Sequence, residues 1–179
     1  MRRVRDMLTT DNLYNDEVKA MNYRIVEYND NYCKDISNIV IRNLLEVNSK
    51  DYGLKKTQED LLRFSPEMIV EYSKTSNIYV VLDNETVVGT LRVDKNIYGG
   101  ENEYVFLTIF VLPEEHGKGI GRLLIENAEI YVRELGGKSI SIPSGITAHG
   151  FYNKLDYEYV NGKEPDSNGL IWLKKNIAV

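Results

Sequence analysis

Between Tyr104 and Val111 the chain is apolar at nearly every position, and glycines then fall at alternate places in Gly117-Lys118-Gly119-Ile120-Gly121. An apolar run of that length reads as a central strand buried on both faces. Pro113 ends it. The following Gly119–Leu135 carries Ile120, Leu124, Ala128, Tyr131 and Leu135 at helical spacing, with Arg122, Glu126, Glu129 and Arg133 off that stripe. Gly136-Gly137 closes the helix. A strand that feeds a long helix through a glycine turn belongs to a mixed α/β layer architecture.

The flanking segments agree. Met21–Tyr28 reads as a first strand. Asp30 or Asn31 can cap a helix whose stripe runs Cys33, Ile36, Ile39, Val40, Leu44 and Val47. Thr57 with Asp60 has the form of a capping box, and Ser65-Pro66-Glu67 that of a helix start. Ile78–Leu82 and Thr86–Val93 are joined by Asp83-Asn84-Glu85, a hairpin signal. After the long helix come strand Ser139–Ile142, a helix near Thr147–Leu155, and strands Tyr157–Val160 and Leu170–Lys174. Residues 1–20, led by Arg2, Arg3 and Arg5, differ in character and read as an N-terminal extension to one domain over 21–179: a poorly ordered terminus, an alternative start, or an arm that packs on a partner.

Composition removes several classes of function. Lys plus Arg is 22 against 27 Asp plus Glu, a net charge of −5, which argues against a nucleic-acid binder. Cys33 is the single cysteine, so no internal disulfide forms, and its apolar neighbours mark it as a core residue. With one Cys and two His at no ligand spacing, a metal is not expected. No apolar run is long enough to span a bilayer, and nothing resembles a secretory leader, so a cytoplasmic protein is expected. Ser144, His149 and Asp156 lack the Gly-x-Ser-x-Gly elbow of a hydrolase.

The glycine turn itself points to an anion. Unpaired N–H groups at a helix start, together with the positive end of its dipole, attract phosphate. Lys118 and Arg122 add positive charge to an otherwise acidic chain. A P-loop would need Ser or Thr after a Gly-Lys pair, and Gly119 and Ile120 follow Lys118. A dinucleotide fingerprint would need a small residue at Leu124 and an acid where Ile142-Pro143-Ser144 stands. Both patterns fail.

A second constellation, Ile142-Pro143-Ser144 through Phe151-Tyr152 to the Leu155-Asp156-Tyr157 corner, follows about thirty residues later. Taken together the two resemble the GNAT superfamily of N-acetyltransferases, which carries Arg/Gln-x-x-Gly-x-Gly/Ala at its fourth strand–helix junction and Phe-Tyr before a Leu-Gly-Phe/Tyr corner. The likeness extends over Asn22–Lys175. His116 stands where the family prefers Arg or Gln, and Asp156 replaces the glycine of the corner. Asp tolerates a left-handed backbone better than most residues, so the corner can survive.

The resemblance implies about seven strands flanked by about four helices, splayed between strands four and five. It implies acetyl-CoA in that splay, its pyrophosphate on His116, Gly117, Lys118, Gly119, Ile120, Gly121 and Arg122, and its pantetheine arm along Ile109, Phe110 and Val111. Ser144, Thr147, Phe151 and Tyr152 would line the far side. An amine would attack the thioester directly, with Tyr152 as general acid and Glu103 as the best-placed base. His149 could assist, while Glu114 and Glu115 read as loop charges. The acceptor is a small-molecule or peptidyl amine, and Asp51, Tyr52, Glu59 and Asp60 would suit a cationic one. Homodimerisation through a terminal strand or residues 1–20 is one further expectation. A different class, a CoA-binding or regulatory module without turnover, would keep the glycine turn but has no need of a phenol at Tyr152.

Overall fold

The structure, a computed structural model, describes residues 23–52, 61–96 and 99–178, with the side chains of 51 and 52 excepted. Expectations for residues 1–20 and for Thr57 with Asp60 lie outside them, as do the side chains of the acceptor-side group Asp51, Tyr52, Glu59 and Asp60.

The chain enters through β1 (Tyr23–Glu27) and a 3₁₀ turn (Asp30–Tyr32) into α1 (Cys33–Asn43), which widens into a π-helical turn (Leu44–Asn48) and ends in α2 (Ser49–Tyr52). Then come α3 (Pro66–Ser73), β2 (Asn77–Asp83), β3 (Thr86–Lys95) and β4 (Glu103–Val111). A 3₁₀ turn (Pro113–Glu115) leads to α4 (Ile120–Glu134), followed by β5 (Ser139–Ser144), α5 (His149–Asn153), β6 (Glu158–Tyr159) and β7 (Ile171–Asn176). The strands form one seven-stranded sheet in the order β1-β2-β3-β4-β5-β7-β6. Every pairing is antiparallel except β4 with β5, which is parallel and therefore needs the α4 crossover between them.

Alternate residues of the central strands feed two cores. On one face α1 and α3 bury Ile36, Ile39, Val40, Leu44 and Ile69 against Ile78, Val80 and Leu82. On the other, Ile120, Leu124, Ile125, Ala128 and Val132 of α4 pack on Val81, Leu91, Val93, Phe106, Ile140 and Ile142. Each such aliphatic side chain contributes about 1.5–3 kcal/mol when fully buried. Local signals hold the ends. The Ser65 hydroxyl accepts from the Met68 N–H, with Pro66 in the first helical turn, and Asn84 takes the left-handed conformation (φ 53) in the β2–β3 hairpin.

Four expectations change. Neither Asp30 nor Asn31 caps α1, whose N-cap is Tyr32 without a side-chain bond; Asn29 instead caps the 3₁₀ turn that leads into it, its side chain accepting from the Asn31 N–H. Glu129, expected off the buried stripe of α4, is only 4% exposed, because Lys175 from β7 (2.9 Å) and Arg133 (3.0 Å) neutralise it. Leu135, expected on that stripe, is exposed because the helix ends before it. The Tyr157–Val160 strand shrinks to Glu158–Tyr159, with Tyr157 buried in the core instead. Cys33 is half-buried against the α1–α3 core.

Candidate active site

The central strand is not buried on both faces throughout. Tyr104 and Phe106 are buried, but everything from Leu107 to Val111 is only partly so. The cause is in the pairing. β4 and β5 are bonded only from Glu103–Val105 to Ser139–Ser141, and beyond that the two strands diverge. A β-bulge sharpens the divergence: Arg92 pairs with Leu107 and Thr90 with Phe110, so Thr108 and Ile109 together face Leu91. Thr108 carries a left-handed backbone (φ 49), an outlier for a β-branched residue. The V-shaped gap is a cleft of about 1430 Å³, walled by β4, the end of β5, the glycine turn, α5 and the π-helical turn after α1.

Past the bulge, the Leu112 N–H donates to the Val88 carbonyl (2.9 Å) while Gly89 faces Val111. Gly89 and Val111 are therefore a pair that exchanges no backbone bonds, and the Val111 N–H and C=O both turn away from β3. The carbonyl accepts from two side chains, Asn43 Nδ2 (2.8 Å) and His116 Nε2 (2.9 Å). The Val111 N–H points the same way, into the side that β5 has left.

The glycine turn closes one wall. Gly117 (φ 81) and Gly119 (φ 84) are left-handed, which lets the chain reverse from the 3₁₀ turn and present the first N–H groups of α4 to the cleft. No side chain caps that helix start. Gly121 lies against Phe151: a Cβ there would stand 3.2 Å from the ring. The cradle is thus left open to an anion, with Lys118, Arg122 and Lys154 around it. Lys118 is bound to Glu115 (2.9 Å), whose other oxygen accepts from Tyr23 (3.1 Å). Burial first, and then that contact, push the Tyr23 phenol up to about 12. The donor set, main-chain N–H groups with cations and, among the described residues, no facing free carboxylate, fits a pyrophosphate.

Tyr152 lines the cleft from α5 and is 6% exposed. Burial pushes its phenol above the ordinary tyrosine range, so it stays protonated. Its ring meets Phe151 edge-to-face at 5.1 Å. Ser144 and Thr147 line the same wall, though the Ser144 hydroxyl donates to the Gly145 carbonyl (2.8 Å). All the expected residues from Ile109 to Val111, from His116 to Arg122, and on the far wall are brought to this one cleft.

Glu103 is not. It begins β4, a strand of 9 residues, so at about 3.3 Å per residue it lies roughly 25 Å from Val111. There it accepts from Lys174 (2.8 Å), which holds its carboxyl below the usual carboxylate range. The expected base is a sheet-end ion pair, because the cleft opens at the other end of the strand. His149 is spent on the Tyr159 hydroxyl (2.8 Å), and Glu114 on Arg42 (2.8 Å). The corner survives as expected, with Asp156 left-handed at φ 66.

Sequence reasoning missed Asn43, Val47 and Asn48, which line the cleft from α1 and its π-helical turn. One signal was present: Asn43 falls at the spacing of the apolar stripe, between Val40 and Val47, where a buried carboxamide must find partners. The bulge at Thr108 had no signal beyond one polar residue in an apolar run. Among the described residues, no group of three His, Cys, Asp or Glu is placed to hold a metal, and no helix is long and apolar enough to cross a membrane.

Comparison with known proteins adds a family. The acetyltransferase (GNAT) family matches residues 41–157. Among solved structures, a PaiA N-acetyltransferase of Thermoplasma acidophilum in complex with coenzyme A superposes with a TM-score of 0.75 at 14% identity, covering 87% of this chain and 99% of that one. A GNAT-family acetyltransferase of Staphylococcus aureus gives 0.68 at 16% identity (87% and 99% covered). The ribosomal-protein-S18-alanine N-acetyltransferase of Escherichia coli gives 0.64 at 13% (88% and 95%). No curated protein matches the sequence significantly.

Proposed function

Because the chain belongs to the GNAT acetyltransferase family, we propose that it transfers an acetyl group from acetyl-CoA to a primary amine by direct attack within a ternary complex. The observation that carries this reading is the convergence on one cleft of three groups: the Val111 N–H, the uncapped start of α4 behind Gly119, and the protonated phenol of Tyr152. A fold neighbour solved with coenzyme A supports the choice of donor.

Acetyl-CoA supplies an acetyl group activated as a thioester. The N–H groups from Gly117 to Gly121, with Lys118 and Arg122, bind the pyrophosphate, and the freed edge of Ile109–Val111 pairs with the pantetheine amides. Holding both reactants in one cleft supplies much of the rate. The Val111 N–H stabilises negative charge that develops on the acetyl oxygen. Tyr152 gives its proton to the departing sulfur as the C–S bond breaks and negative charge collects there, since the same buried cleft disfavours a free thiolate, and the phenol regains a proton from water. The amine's proton leaves through water, since Glu115, the carboxylate lining the cleft among the described residues, is engaged by Tyr23 and Lys118. The acceptor enters beside the π-helical turn, past Val47 and Asn48.

Calorimetric titration with acetyl-CoA, with ATP and NAD as controls, tests the reading. Saturable binding of acetyl-CoA alone is expected, with about 2.7 kcal/mol of added stability at a hundredfold excess over the dissociation constant. Thiol release in a panel of amines should follow. A folded, ligand-free protein that ignores acetyl-CoA would overturn the proposal, and binding without thiol release for any amine would leave a CoA-binding module.

A further inference from the structure

Val111 is held more firmly than a strand end requires. A carbonyl oxygen has two lone pairs, and here each receives a donor from a different element: Asn43 of α1 and His116 of the glycine turn. Asn43 is 4% exposed and spends both hydrogens of its amide, one on Val111 O and one on Ile39 O at 2.8 Å. Its orientation is therefore fixed, because the reverse amide would set an oxygen against two carbonyls. His116 must carry its hydrogen on Nε2, since the atom it faces only accepts. Next to Asn43, Arg42 bonds Glu114 (2.8 Å), a second tie between α1 and the segment that leads into the turn. Helix, strand end and turn are cross-braced at one peptide, and that peptide borders the N–H aimed into the cleft.

We infer that Asn43 and His116 are positioning residues that fix Val111 so that its N–H meets the acetyl carbonyl of the bound thioester. The inference rests on the proposed acetyltransferase reading and deepens it. Neither side chain needs to touch the acetyl group. Both act through the one residue whose N–H does. It also gives a use to His116, which stands where the related motif carries Arg or Gln: each of these can donate a hydrogen bond, so the requirement is a donor rather than a charge.

The test is the carbonyl stretch of acetyl-CoA labelled with ¹³C at the acetyl carbonyl, read by difference infrared spectroscopy on the bound complex. In the wild-type protein the band should lie below its position in free acetyl-CoA, because an N–H donor polarises the C=O. In Asn43→Leu it should return toward the free position while the dissociation constant stays within about threefold. Turnover with an accepted amine should fall at least tenfold with little change in the KM for acetyl-CoA. His116→Phe, at an exposed site that does not threaten folding, should lose part of the shift, and His116→Gln should restore it. If Asn43→Leu fails to fold, the His116 pair carries the test. An unaltered band in Asn43→Leu and His116→Phe overturns the inference. So does a wild-type band that is unshifted on binding, which leaves the acetyl-CoA reading intact. Failure of the wild type to bind acetyl-CoA instead removes the parent reading and this one together.

Discussion

The two ends of β4 share one apolar composition and do different work. At the Glu103 end the strand is bonded on both sides, to β3 through Lys95 and Asp94 and to β5 through Ser139–Ser141, and an ion pair with Lys174 closes it. At the Val111 end it is bonded to β3 alone, bulged at Thr108, and walled by a cleft. The difference is one of pairing rather than of hydrophobicity. A parallel neighbour that drops away frees main-chain groups on one edge, and those freed groups are what a ligand can bind. The apolar side chains around them exclude water and strengthen the electrostatics of the same groups.

If the open end is where the chemistry happens, its largest effect should come from the phenol. Tyr152→Phe removes one hydroxyl and leaves the packing against Phe151 and Tyr157. Turnover should fall by about 10²–10³, within the range general acids contribute, while acetyl-CoA affinity changes less than about twofold. A thiol-release assay beside a calorimetric titration separates the two. The acid works while protonated, and burial raises its pKa, so the wild-type rate should hold its plateau through about pH 10 rather than fall at that ordinary phenol value. A variant with an unchanged rate would remove Tyr152 from this role.

Much of this arrangement was legible from residue types. Glycines at 117, 119 and 121, the stripe from Ile120 to Ala128, and Phe151-Tyr152 each have a local reason to be what they are, and the structure places them accordingly. What was not legible depends on partners distant in sequence. Glu103 reads as an acid beside a buried strand, and only the strand's direction relative to the cleft shows that it faces Lys174 instead. Glu129 reads as a surface charge until Lys175, 46 residues away, is brought against it. The extent of β4–β5 pairing has no local cause in β4 at all. It depends on β5, which stays paired with β7 from Ser139 to Ser144 but with β4 only from Ser139 to Ser141.

Thr108 sits where the two ends meet, and its strain offers a smaller test. A β-branched residue in the left-handed region costs roughly 1–2 kcal/mol. Thr108→Gly relieves that and loses part of it to the greater freedom of glycine in the unfolded chain. A net gain of about 0.5–1 kcal/mol is expected, a rise of about 2 °C in Tm. Val105→Gly, made in the doubly paired end at an ordinary strand conformation, should shift Tm downward. Differential scanning calorimetry on the pair would show opposite signs, and two losses of equal size would mean that the bulge stores no strain.

The smallest effect belongs to the closed end. Glu103 and Lys174 are 23% and 35% exposed, so breaking their bond with Lys174→Met should cost no more than about 1 kcal/mol. The sign of its pH dependence is fixed by Glu103, whose carboxyl is held below its ordinary value by Lys174. Such a group stabilises the fold above its unfolded pKa, near 4.3, and loses that contribution as pH falls through its lowered folded value. Urea midpoints of wild type and Lys174→Met should therefore differ most near pH 7 and converge as pH falls below the unfolded value of about 4.3. Turnover at pH 7 should stay within about twofold, because this ion pair lies roughly 25 Å along the strand from Val111. A Lys174→Met variant that folds normally and loses turnover would show that the closed end is coupled to the open one, and the division of β4 into a structural and a chemical half would have to be given up.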